Sequence, residues 1–172
     1  MLDRFARAIV FVKPDLVVVY DRLRAPTESS FEYWLHAVEQ FDVADQENIG
    51  LRVGDVRCAI SLLAPENLEV RQTDQYSPNP RERIKLREFH LTASTPKQTK
   101  AVEFVAAYRP YEVDQQAPQP AQLSETETGY ALEATLADGR SVRIVLPKHD
   151  GPIEIHRVDR PTVPAVVVPT IR

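Results

Sequence analysis

The sequence predicts an all-β protein, an antiparallel multi-stranded β-sandwich. Three observations carry that reading. Apolar and polar residues alternate with period two in short runs along most of the 172-residue chain. Turn-forming residues separate these runs at nearly regular spacing, the pattern of sandwiches and barrels. The fourteen prolines fall mostly between runs, where a missing N–H costs no ladder hydrogen bond.

The first two strands are expected at Phe5–Lys13 and Leu16–Leu23, joined at Lys13-Pro14-Asp15 as a hairpin. With Val12 facing Leu16, Phe11 faces Val17, Ile9 faces Val19 and Arg7 faces Asp21. Slipping the register by one residue sets Arg7 against Arg22, so electrostatics select the first pairing. That register also gives Asp21, at the end of an apolar face, the cation it needs there. Arg7 and Asp21 are therefore expected as a structural pair. Pro14 and Asp15 read as turn residues.

The third strand, Ser30–Val38, carries Trp34 and His36 on one face and Tyr33 on the other. Further strands are expected at Ile49–Val53, Val56–Leu63, Glu69–Gln72 and Ile84–Thr92. Thr99–Tyr108 is rich enough in alanine for a short helix. The alternation of Val102, Phe104 and Ala106, with Pro110 as a stop, favours a strand. An exposed connection is placed at 112–128, where Gln115–Glu127 is polar, aperiodic and proline-bearing. Tyr130–Leu136 and Ser141–Leu146 flank Asp138-Gly139, the strongest turn signal in the chain, and make a closing hairpin over 129–147. Ile153–Val158 follows. The tail PTVPAVVVPTIR reads as a short edge strand or as a segment that docks elsewhere.

Length suits one well-buried domain over 1–172. No window approaches the roughly 20 consecutive apolar residues of a membrane-spanning helix, so no membrane partner is expected. A net charge of −4 argues against a nucleic-acid surface, which needs excess Lys and Arg to displace counterions. An acidic polysaccharide would need a local basic patch. Arg81, Arg83, Lys85 and Arg87 alternate and can supply one, although a solvated strand face is the plainer reading. Tyr76, Tyr108 and Tyr111, if exposed near Arg81 or Arg87, would stack on sugar rings; partly buried packing is the competing role. Tyr76, Arg81, Arg83, Arg87 and Tyr108 are thus the candidate substrate-binding residues. Cys58 is the single cysteine, so no internal disulfide forms and the compartment stays undetermined. The N-terminus lacks the build of a signal peptide and opens inside a strand pattern, as an excised domain would.

No catalytic constellation emerges. His36 has a nearby Tyr33, but on the opposite strand face, so a packing role outweighs an acid–base one. His149, Asp150 and His156 match no established metal-ligand spacing. The glycines are scattered, the serines lack an elbow context, and Cys58 has no adjacent histidine. No catalytic residue, metal ligand or cofactor is assigned.

Residues Arg7–Val43, with FVKPDLVVVYDRL followed by FEYWLHAVEQFDV, resemble the C-terminal β-rich part of the heparinase II/III-like polysaccharide lyases. The similarity is looser at Val56–Pro65, AVEFVAAYRP and GYALEATLADGRSVRIVLPK. The resemblance implies a large antiparallel sandwich that follows an α-helical toroid, with an acidic polysaccharide bound between them. There a base removes the proton beside the uronate carboxylate, and a Tyr or His protonates the leaving oxygen in a β-elimination. The family's own sandwich histidine and metal ligands match no residue of this chain. The expectation is a module that does not catalyse elimination on its own, with a helical toroid of the same or a neighbouring chain as partner. It would be periplasmic if part of a secreted lyase. The alternative is a free-standing carbohydrate-binding or structural interaction domain.

Overall fold

The computed structural model describes residues 2–75, 88–157 and, for the backbone only, 160–164. Its strands in chain order are β1 (Arg4–Val12), β2 (Leu16–Ser29), β3 (Glu32–Ala37), β4 (Asp42–Val43), β5 (Ile49–Val53), β6 (Val56–Ala64) and β7 (Glu69–Thr73). They continue as β8 (Phe89–Ser94), β9 (Thr99–Glu112), β10 (Gln122–Thr126), β11 (Gly129–Thr135), β12 (Ser141–Pro147), β13 (Glu154–Arg157) and β14 (Arg160–Pro164). Among the described residues there is no helix, hence none long and apolar enough to cross a membrane. The fold is all-β, and every strand pairing is antiparallel.

The strands make a six-stranded sheet in the order β1-β2-β9-β6-β5-β4, a five-stranded sheet β10-β11-β12-β13-β14 and a three-stranded sheet β3-β8-β7. The six-stranded sheet lies in the middle. One of its faces gives Val10, Val12, Leu16, Val18, Tyr20, Val105 and Ala107 to a core shared with Leu132, Val142, Ile144 and Leu146 of the five-stranded sheet. The other face gives Val19, Ile60, Leu62, Val102, Phe104 and Ala106 to a second core with Tyr33, Leu91 and Ala93 of the three-stranded sheet. Neighbours along β2 and β9 therefore point into different cores. This explains why LVVVY and FVAA are continuous apolar runs rather than alternating ones, because a strand covered on both faces has no polar side. Three layers replace the two of a simple sandwich, a less common but known arrangement.

The β1–β2 hairpin pairs Val12 with Leu16, Ile9 with Val19 and Arg7 with Asp21. Asp21 is buried, and Arg7 donates to both of its oxygens, Nε to Oδ1 at 2.7 Å and a terminal nitrogen to Oδ2 at 2.6 Å. Several elements run past their expected ends. Strand β2 continues beyond Leu23 to Ser29. Pro110 lies inside β9 opposite Cys58 instead of stopping the strand. The reason is local: β2 pairing with β9 ends at Val17–Tyr108, so Pro110 has β6 on one side only and forfeits no ladder bond on the other. Within the 112–128 connection, Gln122–Thr126 forms β10, a polar edge strand against β11 with Leu123 as its one large apolar residue. Asp138-Gly139 does turn the β11–β12 hairpin, Gly139 taking φ 82°, a left-handed value that a side chain would disfavour.

Asp15 proves to be more than a turn residue. It is buried, as is Arg109 of β9, and the two form an ion pair through Nε at 3.0 Å and a terminal nitrogen at 2.5 Å to Oδ2. Arg109 also donates to the carbonyls of Gln119 at 3.0 Å and Thr135 at 2.8 Å. The other Asp15 oxygen accepts the Ala137 N–H at 2.9 Å. One pair thus ties the first hairpin, the middle sheet and the β11–β12 turn of the outer sheet. At the opposite end, Tyr20 donates its hydroxyl to the Pro147 carbonyl at 3.0 Å, and Arg4 pairs with Asp150. Because removing one partner strands a buried charge, Arg109→Met is expected to destabilise by about 3–5 kcal/mol, measured by urea denaturation. The double variant Asp15→Leu/Arg109→Met should recover part of that loss; a loss equal to the sum of the two singles would contradict the pairing.

Candidate functional site

The three-stranded sheet presents one face to the core and one to solvent, and the solvent face gathers most of the chemistry. On β3, Tyr33 is buried while Trp34 and His36 alternate outward. On β8, Leu91 and Ala93 enter the core, so His90 and Thr92 share the outer face with them excluded. The β3–β8 register pairs His36 with His90 and Trp34 with Thr92. The two imidazoles are therefore cross-strand neighbours, with ring centroids 4.7 Å apart. Trp34 stacks on His36 at 6.0 Å and 21°, and its indole N–H donates to Glu32 at 2.9 Å.

Glu88, just before β8, completes the group. Its Oε1 lies 3.4 Å from His36 Nδ1 and its Oε2 3.9 Å from His90 Nε2. The three ligand-type atoms fall within 4.8 Å of one another, a spacing compatible with a shared metal ion. His90 is buried, whereas His36 and Glu88 are part-exposed, so the cluster has a fixed floor and an adjustable rim. Such a set can hold a cation, exchange protons, or form the polar margin of the Trp34 ring. The sequence places His36 on this face, but not its partners. His90 and Glu88 are far along the chain, and only the β3–β8 pairing brings them together.

Beneath the same strand lies a second polar group. The Tyr33 and Tyr108 hydroxyls are 2.7 Å apart, and the Arg7 guanidinium sits over the Tyr33 ring at 5.9 Å. Burial pushes the Tyr108 phenol strongly upward, with the adjacent Tyr33 adding to the effect. Tyr33 is also raised, by burial first, while its hydrogen bond to Tyr108 pulls the other way. Desolvation raises Tyr20 and Tyr130 as well. Tyr108 is thus a partly buried strand residue tied to the core side of β3.

Of the other candidate substrate-binding residues, Tyr76, Arg81, Arg83 and Arg87 lie outside the described residues. Tyr111, on β9 opposite Arg57, borders an open cavity of about 750 Å³ with Pro14, Asp15, Arg109 and Gln119. Two of its charged groups, Asp15 and Arg109, are engaged with each other, so it is a surface recess over a structural joint, with Glu112 also on its lining. His149, Asp150 and His156 are not brought together as a ligand set. Asp150 faces Arg4, which lowers its carboxyl below the usual range; Arg22 donates to the His149 carbonyl, and His156 sits 3.2 Å from Glu154. Cys58 is half-buried, and desolvation raises its thiol, which makes it a poor nucleophile.

No model of a known protein family matches the chain, and no curated protein matches it either.

The raised tyrosines set an alkaline limit on stability. The folded state keeps phenolic protons that the unfolded chain releases above about pH 10. The folded protein then binds more protons than the unfolded one, so stability must fall as pH rises through that value. Denaturant midpoints measured at increasing alkalinity should drop, and Tyr33→Phe/Tyr108→Phe should flatten the slope. An unchanged slope in that variant would mean that the pair does not carry the effect.

Proposed function

We propose that this chain is a β-sandwich module like the C-terminal one of heparinase II/III-like polysaccharide lyases. It would form one wall of a cleft for acidic polysaccharide and seat a helical domain, without carrying out elimination by itself. The observation that carries this reading is the exposed apolar strip on β1 of the middle sheet. Strand β1 pairs only with β2 among the described residues and exposes Phe5, Ile9 and Phe11 at 50%, 67% and 57%. The cover given by the three-stranded sheet stops short of these side chains, which lie on the Arg7 face of β1. A nine-residue edge strand with three large apolar side chains in water invites pairing unless another element covers it. A helical toroid of the same or a neighbouring chain suits that demand. The segment carrying the resemblance, Arg7–Val43, includes Ile9 and Phe11 of this edge and the Trp34–His36 strand.

A second reading is a carbohydrate-binding domain acting alone. It is favoured by Trp34, which is 48% exposed and stacked beside His36 on the outer sheet face, an aromatic platform for a sugar ring.

The purified chain, given uronate-containing polysaccharides, is expected to generate none of the ultraviolet absorbance of an unsaturated product; turnover would overturn the non-catalytic role. Phe11→Lys should change the stability of the isolated chain by no more than about 0.5 kcal/mol, as for a surface site. A larger loss would show that the β1 strip belongs to the chain's own core. Calorimetric titration with an acidic oligosaccharide separates the two readings. Binding by the isolated chain that is lost in Trp34→Ala supports the second.

A further inference from the structure

We propose that His36, Glu88 and His90 form a binding site for a divalent transition-metal ion of the zinc class. This inference is independent of the lyase-like reading. The ligand set has the chemistry: two imidazole nitrogens and a carboxylate oxygen favour zinc, cobalt or nickel over calcium and magnesium, which prefer all-oxygen shells. The spacing also fits. Bonds of about 2.0–2.2 Å to zinc put tetrahedral ligand atoms roughly 3.3 Å apart. Glu88 stands 3.4 Å from His36 Nδ1 and 3.9 Å from His90 Nε2, and the whole set spans no more than 4.8 Å.

An ion pair alone accounts for the geometry less well. A charge-assisted hydrogen bond between imidazolium and carboxylate closes to about 2.7–2.9 Å, and both carboxylate–imidazole distances are longer. The scaffold is built to order the ligands. His90 is buried on the strand between β3 and β7, and His36 is held in register opposite it and against the Trp34 ring. Closing onto an ion asks for small movements of His36 and Glu88, the two members with part-exposed side chains. Three protein ligands leave a coordination position open toward solvent, where water or an anionic oxygen of a bound molecule would sit.

The test uses the whole chain and Zn²⁺ alone. Competition with a chromophoric chelator should show one tight equivalent, and Co²⁺ should give the visible absorption of a four-coordinate nitrogen–oxygen site. His36→Ala and Glu88→Gln should each weaken binding by at least about 10–100-fold, the loss that even outer-shell partners cause. Both positions are part-exposed, so folding should survive, which circular dichroism checks. His156→Ala, at the separate His156–Glu154 contact, should leave affinity unchanged. Absence of Zn²⁺ binding, or binding that both site variants retain, would overturn the proposal. So would binding that disappears in His156→Ala.

Discussion

The structure depends on a sheet that is covered on both faces. Strands β2 and β9 feed side chains into two separate cores, Leu16, Val18, Tyr20, Val105 and Ala107 into one and Val19, Phe104 and Ala106 into the other. Such strands have no polar face to tell up from down. Orientation must come from elsewhere, and two charged pairs provide it. Arg7–Asp21 fixes the hairpin register from within the sheet, and Asp15–Arg109 fixes the outer sheet against it. A one-residue slip would send every β2 side chain into the opposite core and break both pairs. Buried ion pairs contribute little net stability compared with apolar replacements, but separating the partners leaves a buried carboxylate uncompensated, which is strongly destabilising.

The same three-layer plan determines where chemistry can sit. Strand β3 is the outermost cover on one side, so its two faces differ completely. Tyr33 turns inward to Tyr108 and the Arg7–Asp21 pair, a group with Tyr33 and Asp21 buried and Arg7 half-exposed at its margin. Trp34 and His36 turn outward and meet His90 and Glu88. The outer face gathers an aromatic ring, two imidazoles and a carboxylate on paired strands. Because the three-stranded sheet is narrower than the sheet it covers, β1 overhangs with Phe5, Ile9 and Phe11 in water. The overhang lies on the middle sheet and the polar cluster on the outer face of the three-stranded sheet that covers part of it.

Much of this was legible locally. The β1–β2 register followed from alternation and from the sign of the charges at positions 7, 21 and 22, all within one hairpin. The Asp138-Gly139 turn likewise declared itself. What escaped was non-local. Asp15 reads locally as an ordinary turn residue because its partner lies on β9, although Arg109, like Asp21, is a charge continuing an apolar face, that of Val105 and Ala107. Pro110 looked like a stop because the early end of β2 cannot be seen from β9. Strand β10 has too few apolar residues to show alternation and owes its existence to pairing with β11. His36 was visible as a candidate, but its meeting with His90 depends on β3 and β8 becoming neighbours, which no short-range pattern encodes.

Amide hydrogen exchange followed residue by residue tests the doubly covered sheet most directly. The account predicts that amides of Leu16–Tyr20 and Phe104–Ala107 exchange only through global unfolding, while along β1 protected and fast-exchanging amides alternate, the fast ones facing the uncovered edge. Amides of β9 that exchange as readily as those of β3 or β10, or a β1 protected at every position, would contradict it.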